Sequence, residues 1–116
     1  TTDSIIQVVM PVRHIVMFTV QDEATETQIG ELTSGLLALP EKIPEIKGHE
    51  LGVDMKLPSG QAHPAGKNRS IAWTADFDND ADYETYAAHP EHVACIKEKI
   101  APIIVPGTRA AIQYVR

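Results

Sequence analysis

The stretch Arg69-Ser70-Ile71-Ala72-Trp73-Thr74-Ala75-Asp76-Phe77 alternates with period two. Ile71, Trp73, Ala75 and Phe77 fall on one face, and Ser70, Ala72, Thr74 and Asp76 on the other. Successive side chains of a strand point to opposite sides, so this pattern predicts a strand packed on one face. Working outward, Val12 to Val20 is rich in β-branched residues and predicts a first strand behind Pro11. The apolar run Ile5 to Val9 reads as an extension of it or an edge strand, making residues 1–11 an N-terminal appendage to a domain over 12–116. Ile46 to Met55 predicts a second strand, in which Gly48 and Gly52 suggest bulges or a strong twist. Thr108 to Val115 predicts the last strand.

The segments between these strands carry helical patterns. Ile29, Leu32, Leu36 and Leu39 form one apolar stripe in a helix predicted over Asp22 to Leu39, with Pro40 expected to stop it. Gly30 and Gly35 suggest close approach of this helix to the sheet. Asp78-Asn79-Asp80 offers caps for a short helix over Ala81 to Ala88. Pro90 then opens a longer helix, running to about Val105 before Pro106-Gly107 breaks it. Lys56 to Asn68, with two prolines and two glycines, reads as a loop. The order β-α-β-β-α-β makes this an α+β chain: a ferredoxin-like antiparallel sheet with helices on one face. The other face, represented by Ala72, Thr74, Ala111 and Val115, is expected to pack on a second copy. The expected partner is therefore the chain itself, as a homodimer closing into an α/β barrel.

The chain has 116 residues, 43% apolar and 22% charged, which suits one hydrophobic core in an ordinary globular domain. Ten Lys and Arg against sixteen Asp and Glu give a net charge of −6, which disfavours nucleic acid as a partner. No apolar run reaches the roughly 18–20 residues of a membrane span. The single Cys95 cannot form an internal disulfide, and the opening Thr1-Thr2-Asp3-Ser4 lacks a basic leader pattern, so a cytoplasmic location is expected.

Chemistry concentrates in Tyr83-Glu84-Thr85-Tyr86-Ala87-Ala88-His89-Pro90-Glu91-His92-Val93. On a helix starting at Pro90, His92 lies on the rim of an apolar arc formed by Val93, Ile96, Ile100, Ile103 and Ile104, with Cys95 outside it. His14 shares a strand face with Val12, Val16 and Phe18, so His14 and His92 can line one cavity between helices and sheet. Two imidazoles that titrate near neutrality, with the Tyr86 hydroxyl, suit proton removal next to a carbonyl. Each residue also has a purely structural reading: a hydrogen-bonded core histidine, or a tyrosine filling the interior with its hydroxyl at the edge. A pocket on the order of several hundred cubic ångströms, closed around the three, would favour ligand chemistry, and a filled core there would count against it. His89 and His92 have a spacing open to metal, but His89 is better read as a helix cap. No metal or cofactor is assigned. His49 shows no partner in the sequence, His63 falls in the loop, and the acidic run Asp76, Asp78, Asp80 and Asp82 reads as solvated capping.

Val12-Arg13-His14-Ile15-Val16-Met17-Phe18, Ile43-Pro44-Glu45-Ile46-Lys47-Gly48 and Tyr86-Ala87-Ala88-His89-Pro90-Glu91-His92-Val93, in that order, resemble the stress-responsive α/β-barrel (Dabb) domain family. The resemblance implies a dimeric ferredoxin-like barrel. That family includes an olivetolic acid cyclase, which closes a linear polyketide by intramolecular aldol condensation. By resemblance His92 would be the general base, Tyr86 would bind the substrate carbonyl and His14 would position the chain. Three functional readings follow. The first is a dimeric small-molecule-binding protein taking a carbonyl-containing ligand. The second is a cyclase-like lyase acting on a β-ketoacyl compound. The third is a stress-related oligomer whose histidines only pack.

Overall fold

The computed structural model describes residues 10–60 and 68–116. The expected N-terminal strand Ile5 to Val9, most of the 56–68 loop and His63 lie outside the described residues. Four strands, β1 (Val12–Phe18), β2 (Gly48–Val53), β3 (Ile71–Phe77) and β4 (Ala110–Val115), form one antiparallel sheet in the order β2-β3-β1-β4. Three α-helices join them: α1 (Glu26–Lys42), α2 (Asp80–Ala88) and α3 (Pro90–Cys95), the last continuing into a π-helical turn at Ile96–Ile100. The predicted α+β order, antiparallel sheet and ferredoxin-like arrangement are all present.

The alternation in β3 is realised fully: Ile71, Trp73, Ala75 and Phe77 are buried, and the residues between them are only partly covered. Leu32, Leu36, Leu39 and Ile43 of the α1 segment meet this face together with Phe18. Burying a side chain of this size contributes about 1.5–3 kcal/mol relative to leaving it in water, so this one layer supplies much of the folding drive.

Helix α1 departs from its expected ends. It starts at Glu26 rather than Asp22, because Thr25 and Gln28 form a capping box: Thr25 Oγ1 accepts from Gln28 N at 3.1 Å, and Gln28 Oε1 accepts from Thr25 N at 2.9 Å. Pro40 does not stop it. The missing proline N–H removes one bond in the last turn, and the helix runs on to Lys42, where Ile43 N donates to Leu39 O at 2.8 Å. Gly35 does allow a close approach, but to another helix rather than to the sheet: a Cβ there would lie 3.4 Å from Cys95 Sγ. β2 carries no bulge, since its pairing with β3 is unbroken from Gly48↔Asp76 to Val53↔Ile71. Gly48 serves a different need, because a Cβ there would stand 3.1 Å from Asp76 Oδ2.

The second helical section also differs from a uniform wheel. Cys95 is buried, whereas Val93 and Ile96 are 48% and 38% exposed. Helix α3 turns its His92–Cys95 side inward, against α1 and α2. The Ala101 N–H then reaches back five residues to Ile96 O at 2.8 Å, closing the π turn. Beyond the turn Ile103, expected on the apolar arc, lies in the core.

Register also reassigns the sheet face turned away from the helices. Met17 pairs with Ala72 and Ala110, and Ile15 with Thr74 and Ile112, so these six residues share that face. Ala111 and Val115, expected there, instead pair with Val16 and Val12 and lie on the helix side. Counting strand positions does not fix the register, and a shift of one residue exchanges the faces. No helix among the described residues is long and apolar enough to cross a membrane.

Candidate functional site

The face of β1 that carries Val12, Val16 and Phe18 also carries His14, only 3% exposed. Helices α2 and α3 bring Tyr86 and His92 to it. The Tyr86 ring lies 5.8 Å from the His14 ring and 4.1 Å from that of His92, centroid to centroid, so the tyrosine is in reach of both imidazoles. Tyr83 completes an aromatic enclosure 5.2 Å from His14, with Phe77 against both tyrosines. The three residues singled out from the sequence thus converge, from two strand-and-helix segments far apart in the chain.

Hydrogen bonds assign the protons. His92 Nδ1 lies 3.1 Å from Ala87 O, and a carbonyl can only accept; Nδ1 therefore carries the hydrogen and Nε2 keeps its lone pair. The kink between α2 and α3 creates this partner. His89, the cap of both helices, ends α2 in extended geometry, and its Nδ1 accepts from Glu91 N at 3.1 Å. His14 has the opposite arrangement. Gln113 Nε2 stands 2.8 Å from His14 Nδ1, and with the amide nitrogen as donor the imidazole hydrogen sits on Nε2. Tyr86 Oη accepts from Trp73 Nε1 at 3.0 Å, which fixes the oxygen while its own O–H proton stays available to another acceptor.

Burial holds all three groups neutral. It lowers His14 from 6.5 to about 4, with the nearby charges of Arg109 and His92 acting in the same direction. His92 is lowered mainly by burial too, against the opposing pull of the Ala87 carbonyl. Burial pushes the Tyr86 phenol up to about 12, although the Trp73 hydrogen bond works the other way. At neutral pH the cluster therefore offers two hydrogen-bond donors, His14 Nε2–H and Tyr86 O–H, and one basic nitrogen, His92 Nε2.

Access to the cluster is one-sided. Tyr86 is 1% exposed and His14 nearly as closed, whereas His92 is half-buried. Beyond them β4 lies outside the cover of the helices, with all six residues exposed, so Ala111 and Gln113 form an open floor beside His14. Packed rings fill the space around the three residues, so the pocket that would favour ligand chemistry is not found among the described residues, and only the Ala111 and Gln113 edge beside His14 stands open. A separate cleft of about 620 Å³ lies toward the other ends of the strands, lined by Val20, Ile29, Val53, Leu57 and Ile71 among others. None of the three predicted residues lines it.

Three partners in the cluster escape a reading of the sequence: Gln113, Trp73 as a hydrogen-bond donor, and the Ala87 carbonyl. Gln113 is within reach of one, since antiparallel pairing of the first and last strands sets it opposite His14. The carbonyl has no signal beyond the cap at His89. His49, without a partner in the sequence, has its ring 5.8 Å from that of Trp73. Cys95 packs against Gly35, and burial raises its thiol pKa. In the acidic run, Asp76 is an ion-pair partner: Arg13 donates to it at 2.8 and 3.1 Å, and Arg116 lies 3.7 Å away. Its carboxyl is held below the usual range chiefly by the Arg13 hydrogen bonds.

A pH dependence of stability follows. Unfolded His14 takes a proton below its ordinary 6.5 and folded His14 only below about 4, so the stability from neutral burial is complete above 6.5 and lost as pH falls through that window. His92 adds a contribution of the same sign, and Asp76 loses its contribution at still lower pH, as its depressed pKa is crossed. The urea midpoint is expected to fall between pH 6.5 and 4, and to fall less steeply in His14→Gln. Equal slopes for the two proteins would remove His14 as the source.

A family model described as the stress responsive A/B barrel domain matches residues 12–115. The chain is 27% identical over 94 residues to a stress-response A/B barrel domain-containing protein of Arabidopsis thaliana; the match takes in 79% of this chain but spans 32% of that relative's length. Among solved structures, a dimeric ferredoxin-like protein of unknown function from Thermobifida fusca superimposes with a TM-score of 0.76 at 30% identity, covering 100% of both chains. The hydroxynitrile lyase of Passiflora edulis superimposes with a TM-score of 0.77 at 22% identity, covering 92% of this chain and 94% of its own, a likeness of fold alone.

Proposed function

The chain belongs to the stress-responsive A/B barrel domain (Dabb) family, and from that premise we propose that it is a homodimeric small-molecule-binding protein whose His/Tyr cluster, reached from its open β4 edge, handles a proton of a carbonyl-containing ligand. The observation that carries this reading is the pairing of opposite tautomers. The Nδ1–H bond to Ala87 O leaves His92 Nε2 as a base, and the Tyr86 and His14 rings of the same cluster carry the donors Tyr86 O–H and His14 Nε2–H. Removing a proton from the carbon next to a carbonyl moves negative charge onto the carbonyl oxygen. A base on one side and neutral donors on the other match that charge movement.

In the reaction so read, His92 Nε2 takes the carbon-bound proton and becomes imidazolium, while the enolate oxygen accepts hydrogen bonds from Tyr86 or His14. Return of the proton to carbon completes an exchange. Attack of the enolate carbon on a second carbonyl in the same molecule, with the proton passed to the resulting alkoxide, completes an aldol closure. That second outcome is the cyclase-like reading. It is supported by the same three residues and needs a ligand long enough to fold back on itself.

Dimerisation through the uncovered sheet face is part of the reading. The Thermobifida fusca protein is described as dimeric, and here Met17 and Ile112 are 43% and 57% exposed on that face. Methyl acetoacetate in heavy water tests the proton-transfer step. The protein is expected to accelerate deuterium incorporation between the two carbonyls, followed by loss of the proton NMR signal. A rate no greater than that of buffer with an equal concentration of imidazole would refute it.

A further inference from the structure

Outside the three-residue cluster, the group that stands out is a cation. Arg109 directly precedes β4, and alternation places it on the same face as Ala111 and Gln113, the strip beside His14. Its backbone is anchored by its neighbour. Thr108 Oγ1 donates to Val105 O at 2.6 Å and accepts from Thr19 N at 3.1 Å, while Thr108 O accepts from Arg69 Nε at 2.6 Å. The side chain is exposed, and its charge is felt by His14, Tyr83, Tyr86 and His92 alike, lowering each of their pKa values. Arg13, Arg116, Lys42 and Lys99 each meet a carboxylate. Arg109 has neither an ion pair nor a hydrogen bond to any described residue. In a chain of net charge −6, Arg109 is thus a cation without an acidic partner among the described residues, at the open side of a neutral cluster.

We infer that Arg109 recognises an anionic group of the ligand, and that the ligand class is a small carboxylate bearing a carbonyl. This deepens the proton-transfer reading and rests on it. The acidic chain repels free anions at a distance, so capture requires a local positive charge, and a guanidinium fork matches a carboxylate in two parallel hydrogen bonds. The cluster itself cannot supply that charge, because His14, Tyr86 and His92 are all uncharged before reaction. With the carboxylate held at Arg109, the carbonyl end of a short ligand is directed over Ala111 toward His92. A bulky residue at position 111 would close that path.

Acetoacetate and its methyl ester separate the inference from the reading beneath it. Binding is followed by the imidazole nitrogen resonances of His14 and His92 during titration. Acetoacetate is expected to shift His92 saturably and to bind about tenfold more tightly than the ester. Arg109→Gln is expected to remove that preference, weakening acetoacetate about tenfold and leaving the ester unchanged; Arg109→Lys restores part of it. The side chain packs in no core, so an unchanged melting temperature is the control for folding. If His92 responds to both compounds and Arg109→Gln binds acetoacetate as the wild type does, the anion site is overturned while the proton-transfer reading stands. If neither compound shifts His92, both fall together.

Discussion

Replacement of His92 by alanine is expected to lower the rate of deuterium exchange into methyl acetoacetate by about 10²–10⁴-fold, the range that a positioned general base supplies. The expectation depends on one hydrogen bond. Ala87 O accepts from His92 Nδ1 at 3.1 Å, so the neutral imidazole keeps its lone pair on Nε2 in every molecule instead of dividing between two tautomers. Burial lowers the His92 pKa, which makes it a somewhat weaker base but keeps it unprotonated at neutral pH. A His92→Gln variant retains an N–H for Ala87 without a basic nitrogen, and it is expected to be as slow as the alanine variant. A glutamine variant as fast as wild type would show that position 92 serves packing and not proton transfer. Retention of the wild-type urea midpoint in both variants separates loss of chemistry from loss of fold.

The other large effect is expected at the sheet surface turned away from the helices. Ile112→Asp places a carboxylate amid Ile15, Met17, Ala72, Thr74 and Ala110, and in the proposed dimer twofold symmetry would place its copy in the same contact. Burying an unpaired carboxylate costs several kcal/mol per ion. The dimer dissociation constant is therefore expected to rise by more than about 100-fold, converting a sedimenting dimer to a monomer at micromolar concentration. Ala111→Asp, one residue away but on the opposite face, is the matched control and is expected to leave the dimer intact. Dissociation by the control and not by Ile112→Asp would place the interface on the helix side of β4.

That pair of variants marks where the sequence is readable and where it is not. Period-two alternation in β3 and the leucine stripe of α1 are legible because each is a local signal backed by one continuous buried face. The face of β4 is not, because Ala110, Ala111 and Ile112 are all apolar, and only pairing with Met17, Val16 and Ile15 decides which way each points. Pro40 misleads for a related reason. A proline near the end of a helix forfeits one hydrogen bond, which the packing of Leu39 and Ile43 outweighs. His14, Tyr86 and His92 can be gathered from strand and helix geometry, but their proton assignments depend on a carbonyl and an amide from elsewhere in the chain. Arg109 is silent in the sequence, being one cation outside any motif; its significance comes from the acidic partners it lacks among the described residues.

The π-helical turn at Ile96–Ile100 acts as a phase shifter between two obligations of the same helical section. Residues before it pack inward: His92 against Tyr86, Cys95 against Gly35. Residues after it are oriented for the strand ends, where Ile104 bridges Val20 and Ile103 O accepts from Gln21 N at 2.8 Å. One helical section thus carries both the imidazole beside Tyr86 and the segment that ties the ends of the strands together, so loosening the π turn would disturb both at once.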